Sequence, residues 1–299
     1  MIRFQDNYYS QLKRFILRNE SIDFDREIPT CSFKLTPAII ANQFYFNCSQ
    51  WAKTYFDSCH RDSFFRERWL AITGSWDNKI VVDIGCGPGN LYATLKGNPK
   101  LLIGIDVSEG SLIMAKKIGY IPFLADAHNL PLASEFADIV TLNAALHHCQ
   151  DMSSVLAEAA RLVRHGGMLV IDHDPQLSAW NYQGLGLCLY KIRLTVIYRW
   201  FLKSLDIPEA ERLTALATEI HHKPGDGVTK ELFSQALEPR GFEVKFYPHN
   251  NAIGADALQG NQGNPPHWRY RVGQLLSGIN PYSESSALSL MCVATRPRK

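Results

Sequence analysis

KIVVDIGCGPGN, Lys79–Asn90, is the most informative run in this 299-residue chain. Ile80–Asp83 is a short apolar stretch ending in an acid, the pattern of a buried strand. Gly85, Gly87 and Gly89 then alternate with Cys86 and Pro88. Glycine reaches positive φ without strain and has no Cβ, so a ligand can come close to the backbone. A strand running into such a loop and then a helix forms a cradle for a nucleotide cofactor. The spacing narrows the choice. A dinucleotide fingerprint wants glycine or alanine where Asn90 stands, so a nicotinamide oxidoreductase is the weaker reading. The run here is D-x-G-x-G-x-G.

Further blocks follow in order. LLIGIDVS (Leu101–Ser108) is a second apolar strand ending at Asp106, an acid placed to accept the ribose hydroxyls of a nucleoside. IPFLADAHNLPL (Ile121–Leu132) puts Asp126 and Ala127 at the end of a third strand. FADIVTLNAALHH (Phe136–His148) is a fourth, ending near Asn143. LAEAARLVRHGGMLVIDHDP (Leu156–Pro175) reads as a helix, a Gly-Gly turn and a fifth strand. Alternating strands and helices form a parallel sheet with crossover helices. Ligands sit at the carboxyl ends of such strands. That rule lines up Gly85–Gly89, Asp106, Asp126, Asn143 and Asp172–Asp174 along one rim.

In this order the blocks resemble the class I S-adenosylmethionine (SAM)-dependent methyltransferases, most closely the UbiE-like, type 11 group acting on small molecules. The resemblance covers residues 79–175 well and 228–295 loosely. It implies an α/β, Rossmann-like, mostly parallel seven-stranded sheet with an antiparallel last strand. It implies SAM as cofactor, held by Asp83, Gly85, Gly87, Gly89, Asp106, Asp126, Ala127 and Asn143. In the family the acid at the Asp126 position takes the adenine amine, and the next backbone N–H reaches a ring nitrogen. The implied reaction is methyl transfer to an O, N or C nucleophile of a secondary-metabolite, lipid or quinone-like acceptor. A SAM-binding regulator or scaffold without turnover is the alternative, since cofactor motifs report binding only.

Composition narrows the partners. Net charge is +2, too near neutral to suggest nucleic acid. Asn143 is followed by Ala-Ala-Leu rather than the P-P-Y/F of methyltransferases that act on base or glutamine amides. Seven cysteines without a C-x-x-C read as reduced thiols of a cytoplasmic protein. Lys191, Arg193 and Arg199 interrupt the apolar run Leu185–Leu202, so neither a span nor contact with a membrane surface is expected. A homodimer is left open.

Outside the core, residues 1–78 carry helical patterns at Asn7–Glu20, Ala38–Phe56 and Ser63–Ile72 and are read as a helical N-terminal cap on a methyltransferase domain of residues 79–299. Residues 175–227 are read as a lid insertion. It would contain a buried helix Leu185–Leu205 and a second helix Pro208–His221. Gly241–Pro248 and Ala287–Thr295 are the last two strands, with a long loop, His249–Pro281, between them.

Methyl transfer from a sulfonium needs alignment and, for a protonated acceptor, a base. Histidine is the natural candidate near neutral pH. His147, His148, His173, His221, His222 and His249 fall at strand ends or on the insertion. His147 is the first choice in the core and His222 in the lid. No metal is expected, because His221 and His222 are adjacent and not spaced i, i+4 on one helical face.

Overall fold

The computed structural model describes residues 9–17, 21–192, 214 and 216–299. They form one sheet in the order β1-β2-β5-β4-β3-β6-β7-β9-β8. The central strands are β3 (Ile80–Ile84), β4 (Leu101–Asp106), β5 (Ile121–Leu124), β6 (Ala137–Asn143) and β7 (Val163–Asp172). They are parallel, with Val82 opposite both Ile103 and Val140. Their residues are buried on both faces almost throughout, as the unbroken apolar runs require of strands covered by helices on each side. The expected Gly-Gly turn before the fifth strand is a break in register. Ala137 pairs with Val163 and Ile139 with Met168, so Arg164–Gly167 loop out of the ladder. β9 (Ser289–Thr295) inserts antiparallel between β7 and β8 (Glu243–His249).

The extension enters the same sheet. β1 (Ile22–Asp23) and β2 (Thr30–Cys31) add an edge beside β5, with Thr30 opposite Leu124. Tyr9 and, in the short helix α1 (Ser10–Lys13), Leu12 are buried in the main core. Residues 1–78 are thus not purely helical, and the sheet has nine strands where seven were expected. The two added strands are only two residues long, too short to show an alternating pattern.

The helix expected over Ala38–Phe56 is two. α2 (Pro37–Asn47) and α3 (Ser49–Ser58) part at Cys48, whose ψ of 104° is extended. Thr36 caps α2 by accepting the Ile39 N–H, with Pro37 in the first turn,. The end of α3 is tied to the core by Asn90. Its amide donates to the carbonyls of Tyr55, Phe56 and Cys59 at 2.8–3.2 Å. α4 (Ser63–Thr73) follows, capped by Asp62.

After β7 lie α5 (Leu177–Trp180) and α6 (Gly184–Ile192). The rest of the helix expected to Leu205, and most of the one expected over Pro208–His221, fall outside the described residues. Within 216–222 the helical residues stop at Thr218. α6 is not the buried helix expected: Leu185 is 67% exposed and Ile192 49%. The expected loop 249–281 contains α7 (Trp268–Leu275). It packs on α6 where Gly186 has no side chain; a Cβ there would lie 2.4 Å from the Gly273 carbonyl. No helix among the described residues is long and apolar enough to cross a membrane.

Candidate active site

A cleft of about 970 Å³, its open mouth included, lies at the carboxyl ends of β3, β4, β5 and β6. Asp83, Gly85, Gly87, Asp106, Asp126, Ala127 and Asn143 all line it. Thr36, Ile39, Asn42, Phe46 and Tyr55 from the N-terminal extension line it too, as does His148, whose ring meets Phe46.

The glycines differ in what they permit. At Gly87, φ is +52° and a Cβ would meet nothing within 4 Å, so the residue faces open space in the cleft. Gly89 does not line the cleft. Its φ is +93°, and a Cβ would stand 2.4 Å from Ile118 Cδ1 and 3.0 Å from Tyr120 Cε2. Its bareness serves close packing at the start of the helix Asn90–Leu95.

The acids have distinct tasks. Asp83 is 1% exposed, and both its oxygens are engaged. Tyr120 O–H donates to Oδ2 at 2.6 Å and Thr141 O–H to Oδ1 at 2.8 Å. Burial pushes its carboxyl up to about 6 even though these bonds act the other way. Asp83 therefore braces β3 against its neighbours. Asp106 accepts the Gly87 N–H and the Ser108 N–H, both at 2.8 Å, which holds the glycine loop against the end of β4. Burial raises its carboxyl above the usual range, against those backbone bonds. Asp126 takes two bonds from His128, one from the backbone N–H and one from Nδ1. Burial raises its carboxyl, but these bonds outweigh it and leave it below its usual value. Asn143 is 8% exposed, and its Oδ1 is buried without a hydrogen-bond partner.

The histidines separate sharply. His147, the favoured base, does not line the cleft. It is 5% exposed, with Nδ1 2.7 Å from Asp174 Oδ1 and Nε2 3.4 Å from Glu219 Oε2. Burial opposes its protonation, but the two carboxylates prevail and push it up to about 10. With both nitrogens turned to acids, it has no lone pair for a substrate. His222, the favoured lid base, also lies off the cleft. Its Nδ1 is 2.8 Å from Glu219 Oε2, and its ring stands edge-on to Trp180. His221 faces Asp226. His173 and His249 cluster behind the rim on Asp172.

His148 is the histidine of this set that lines the cleft. Its Nδ1 is 2.7 Å from the Thr218 carbonyl. A carbonyl only accepts, so Nδ1 carries the hydrogen and Nε2 the lone pair. Desolvation first, and the positive neighbour His147 second, press its protonation down to about 4. Phe46 packs edge-on against its ring.

Other residues here escaped the sequence reading. Tyr55 and Phe46 sit in an ordinary aromatic helical pattern that does not reveal which face is lined. Asn90 was noted only as a departure from the dinucleotide fingerprint. Arg68, fully buried, donates Nε and Nη2 to Asp172 Oδ2 at 3.2 and 3.1 Å. Glu219 converges on His147 with no local sequence signature.

Sheet order, glycine loop and strand-end acids define an α/β enzyme that holds a nucleoside-bearing cofactor at the rim of a parallel sheet. A methyltransferase-domain family model matches residues 82–171. The ubiquinone biosynthesis O-methyltransferase of Thiobacillus denitrificans is 34% identical over 175 residues, covering 55% of this chain and 75% of that protein. The demethylmenaquinone methyltransferase of Thermobifida fusca is 28% identical over 159 residues, 50% of this chain and 66% of that protein. Geranyl diphosphate C-methyltransferase from Streptomyces coelicolor A3(2), at 11% identity, superposes with a TM-score of 0.54 over 89% of this chain and 100% of that one, a likeness of fold. The chain belongs to the class I SAM-dependent methyltransferases, in the type 11 group, and SAM is its cofactor.

Proposed function

We propose that this enzyme methylates a small, largely apolar acceptor with an ionisable hydroxyl, of secondary-metabolite, lipid or quinone type, and that His148 is the base. The observation that carries the reading is the fixed tautomer of His148: Nδ1–H is committed to the Thr218 carbonyl, which leaves Nε2 as the unprotonated nitrogen of a ring in the cleft wall. Ile39, Phe46 and Tyr55 in the same cleft suit a flat apolar body. Two of the relatives that the chain resembles bear names of quinone-pathway methyltransferases.

The cleft suits SAM in two respects. The orphaned Asn143 Oδ1 can accept from a ligand ammonium, and Gly87 leaves open the space a Cβ would fill. Asp106 would take the ribose hydroxyls, and Asp126 with Ala127 the adenine. Asp83 and Gly89 act one step back, by bracing the strand and packing the helix. SAM supplies a methyl group already activated on a sulfonium. The protein then has to align the acceptor, worth up to roughly 7–11 kcal/mol for well-placed reactants. Its hydroxyl proton passes to His148 Nε2, a positioned base being worth about 10²–10⁴-fold. The extension 1–78 acts as a cap and the segment 175–227 as a lid; Tyr55 and the Thr218 carbonyl support this. A cytoplasmic location is part of the proposal and rests on the seven free thiols.

The test is calorimetry with SAM, its demethylated product and NADH, followed by transfer of labelled methyl to a panel of phenols, quinols and their hydroxyl-free analogues. The proposal expects SAM and product binding and label only on the hydroxylated compounds. Label on the hydroxyl-free analogues, or NADH binding in place of SAM, would overturn it.

A further inference from the structure

His147 and Glu219–His222 lie far apart in the chain. Yet one ligand atom from each of His147, Glu219 and His222 falls within 4.8 Å of the others. His147 Nε2 is 3.4 Å from Glu219 Oε2, and His222 Nδ1 is 2.8 Å from the same oxygen. Zinc bonds of roughly 2.0–2.2 Å to nitrogen and oxygen place tetrahedral ligand atoms about 3.3–3.6 Å apart. Small side-chain rotations meet that requirement.

The surroundings point the same way. Asp174 is fully buried and holds His147 Nδ1 at 2.7 Å. That bond aims the far nitrogen, Nε2, at Glu219. An outer carboxylate orienting a histidine in this manner is the usual support of a metal-ligating imidazole. Asp174 also accepts the His147 backbone N–H, and its Oδ2 is buried without a hydrogen-bond partner. Among the described residues the ion-pair partners of Asp174 and Glu219 are histidines. Binding would release the Nε2 proton of His147 in exchange for the ion, and one dipositive charge would then balance the two carboxylates and two imidazoles.

We propose that His147, Glu219 and His222 bind a divalent first-row transition metal, zinc foremost, with Asp174 as the outer carboxylate. Two imidazoles and one carboxylate favour such ions over magnesium or calcium, which prefer oxygen ligands. Three protein ligands leave a position for water. The site lies at the histidine end of the cleft, since His148 follows His147 in the chain and lines the wall. It would fasten the segment around Glu219 to the core behind β6.

The experiment uses the full chain, stripped with a chelator and titrated first with Zn²⁺ alone and then with Co²⁺, whose visible absorption reports four-coordinate ligation. One-to-one binding is expected. His222→Ala and Glu219→Gln should each weaken it by well over tenfold, and Asp174→Asn by about 10–100-fold. The His222 side chain is 36% exposed, so its removal should leave the metal-free thermal melt near that of the wild type. No stoichiometric Zn²⁺ binding, or the same affinity in His222→Ala and Glu219→Gln as in the wild type, would overturn the proposal. Calorimetry with SAM on the same samples keeps this outcome distinct from failure of the methyl-transfer reading.

Discussion

The two ends of the cleft are built from different materials. At the glycine-loop end, contacts come from one continuous stretch of βα units, and backbone geometry does much of the work: the Gly87 N–H is held by Asp106, and open space stands in place of a side chain. At the histidine end, His148 is fixed by Thr218 and His147 by Asp174 and Glu219, from elements brought together only by the fold. The two adjacent histidines lean oppositely, one toward protonation and one away from it. Residue type decides little there; the partner decides. A glycine loop works by spacing, and a histidine cluster works by pairing.

That contrast can be broken most forcefully inside the loop. Gly87→Val should fill the cofactor's path and raise the SAM dissociation constant more than 100-fold, about 2.7 kcal/mol or more. Gly89→Val should act on the fold instead, since its side chain meets Ile118 and Tyr120 at positive φ. A stability loss of roughly 2–4 kcal/mol in denaturant titration is expected. Normal SAM binding by folded Gly87→Val would remove the cofactor from this end.

At the other end, His148→Asn should slow methyl transfer by about 10²-fold or more and leave SAM affinity unchanged. Single-turnover transfer and calorimetry read the two separately. A near-normal rate would mean that the acceptor arrives deprotonated or that alignment alone suffices. Asp106→Ala is a smaller perturbation of the glycine end. It should weaken SAM binding by about 1.5–3 kcal/mol, the size of a hydrogen bond to a charged group. Unaltered affinity would show that Asp106 serves only to hold the Gly87 and Ser108 N–H groups.

The same contrast explains what could be read from the chain beforehand. The β3–loop–helix unit and the succession of parallel strands were legible because periodicity and turn chemistry act over a few residues, whereas the antiparallel last strand came from the family resemblance. Asp106, Asp126 and Asn143 were legible as a rim because strand ends share one edge. The setting of His147 was not legible, because a histidine's protonation follows its partners, and spacing does not place Asp174 and Glu219 against it. The edge strands at Ile22 and Thr30 were illegible for lack of length. The break at Cys48 had no glycine or proline to mark it. The apolar run from Leu185 suggested burial, yet the described part of that helix shows Leu185 and Ile192 to solvent.

Acid should separate the two regions by sign. At the glycine end, burial raises the Asp83 carboxyl to about 6 from its ordinary 3.8. As pH falls through that window the folded state takes up a proton before the unfolded state does, so acid favours the fold there. Behind the histidine end, burial lowers His249 to about 4 from 6.5, although Asp172 beside it acts the other way and Arg68 and His173 add to the depression. Its hydrogen bonds agree: Nδ1 accepts the Asn251 N–H at 3.0 Å while Nε2 faces Asp172 at 2.7 Å, a neutral ring with no nitrogen left to protonate. His60 is depressed as well, by burial first and by His173 second. For His249 stability is complete above about pH 6.5 and drains as pH falls toward 4, at no more than about 1.4 kcal/mol per pH unit, and the lowered His60 acts with the same sign. His249→Gln keeps a donor for Asp172 and cannot titrate. Between pH 6 and 5 it should flatten the acid loss of stability by about 1 kcal/mol. Asp83→Asn should steepen it by a similar amount. Chemical denaturation at those two pH values reads both. A His249→Gln slope equal to that of the wild type would assign the acid loss to His60 or to another group, and a flatter slope in Asp83→Asn would reverse the sign assigned to the glycine end.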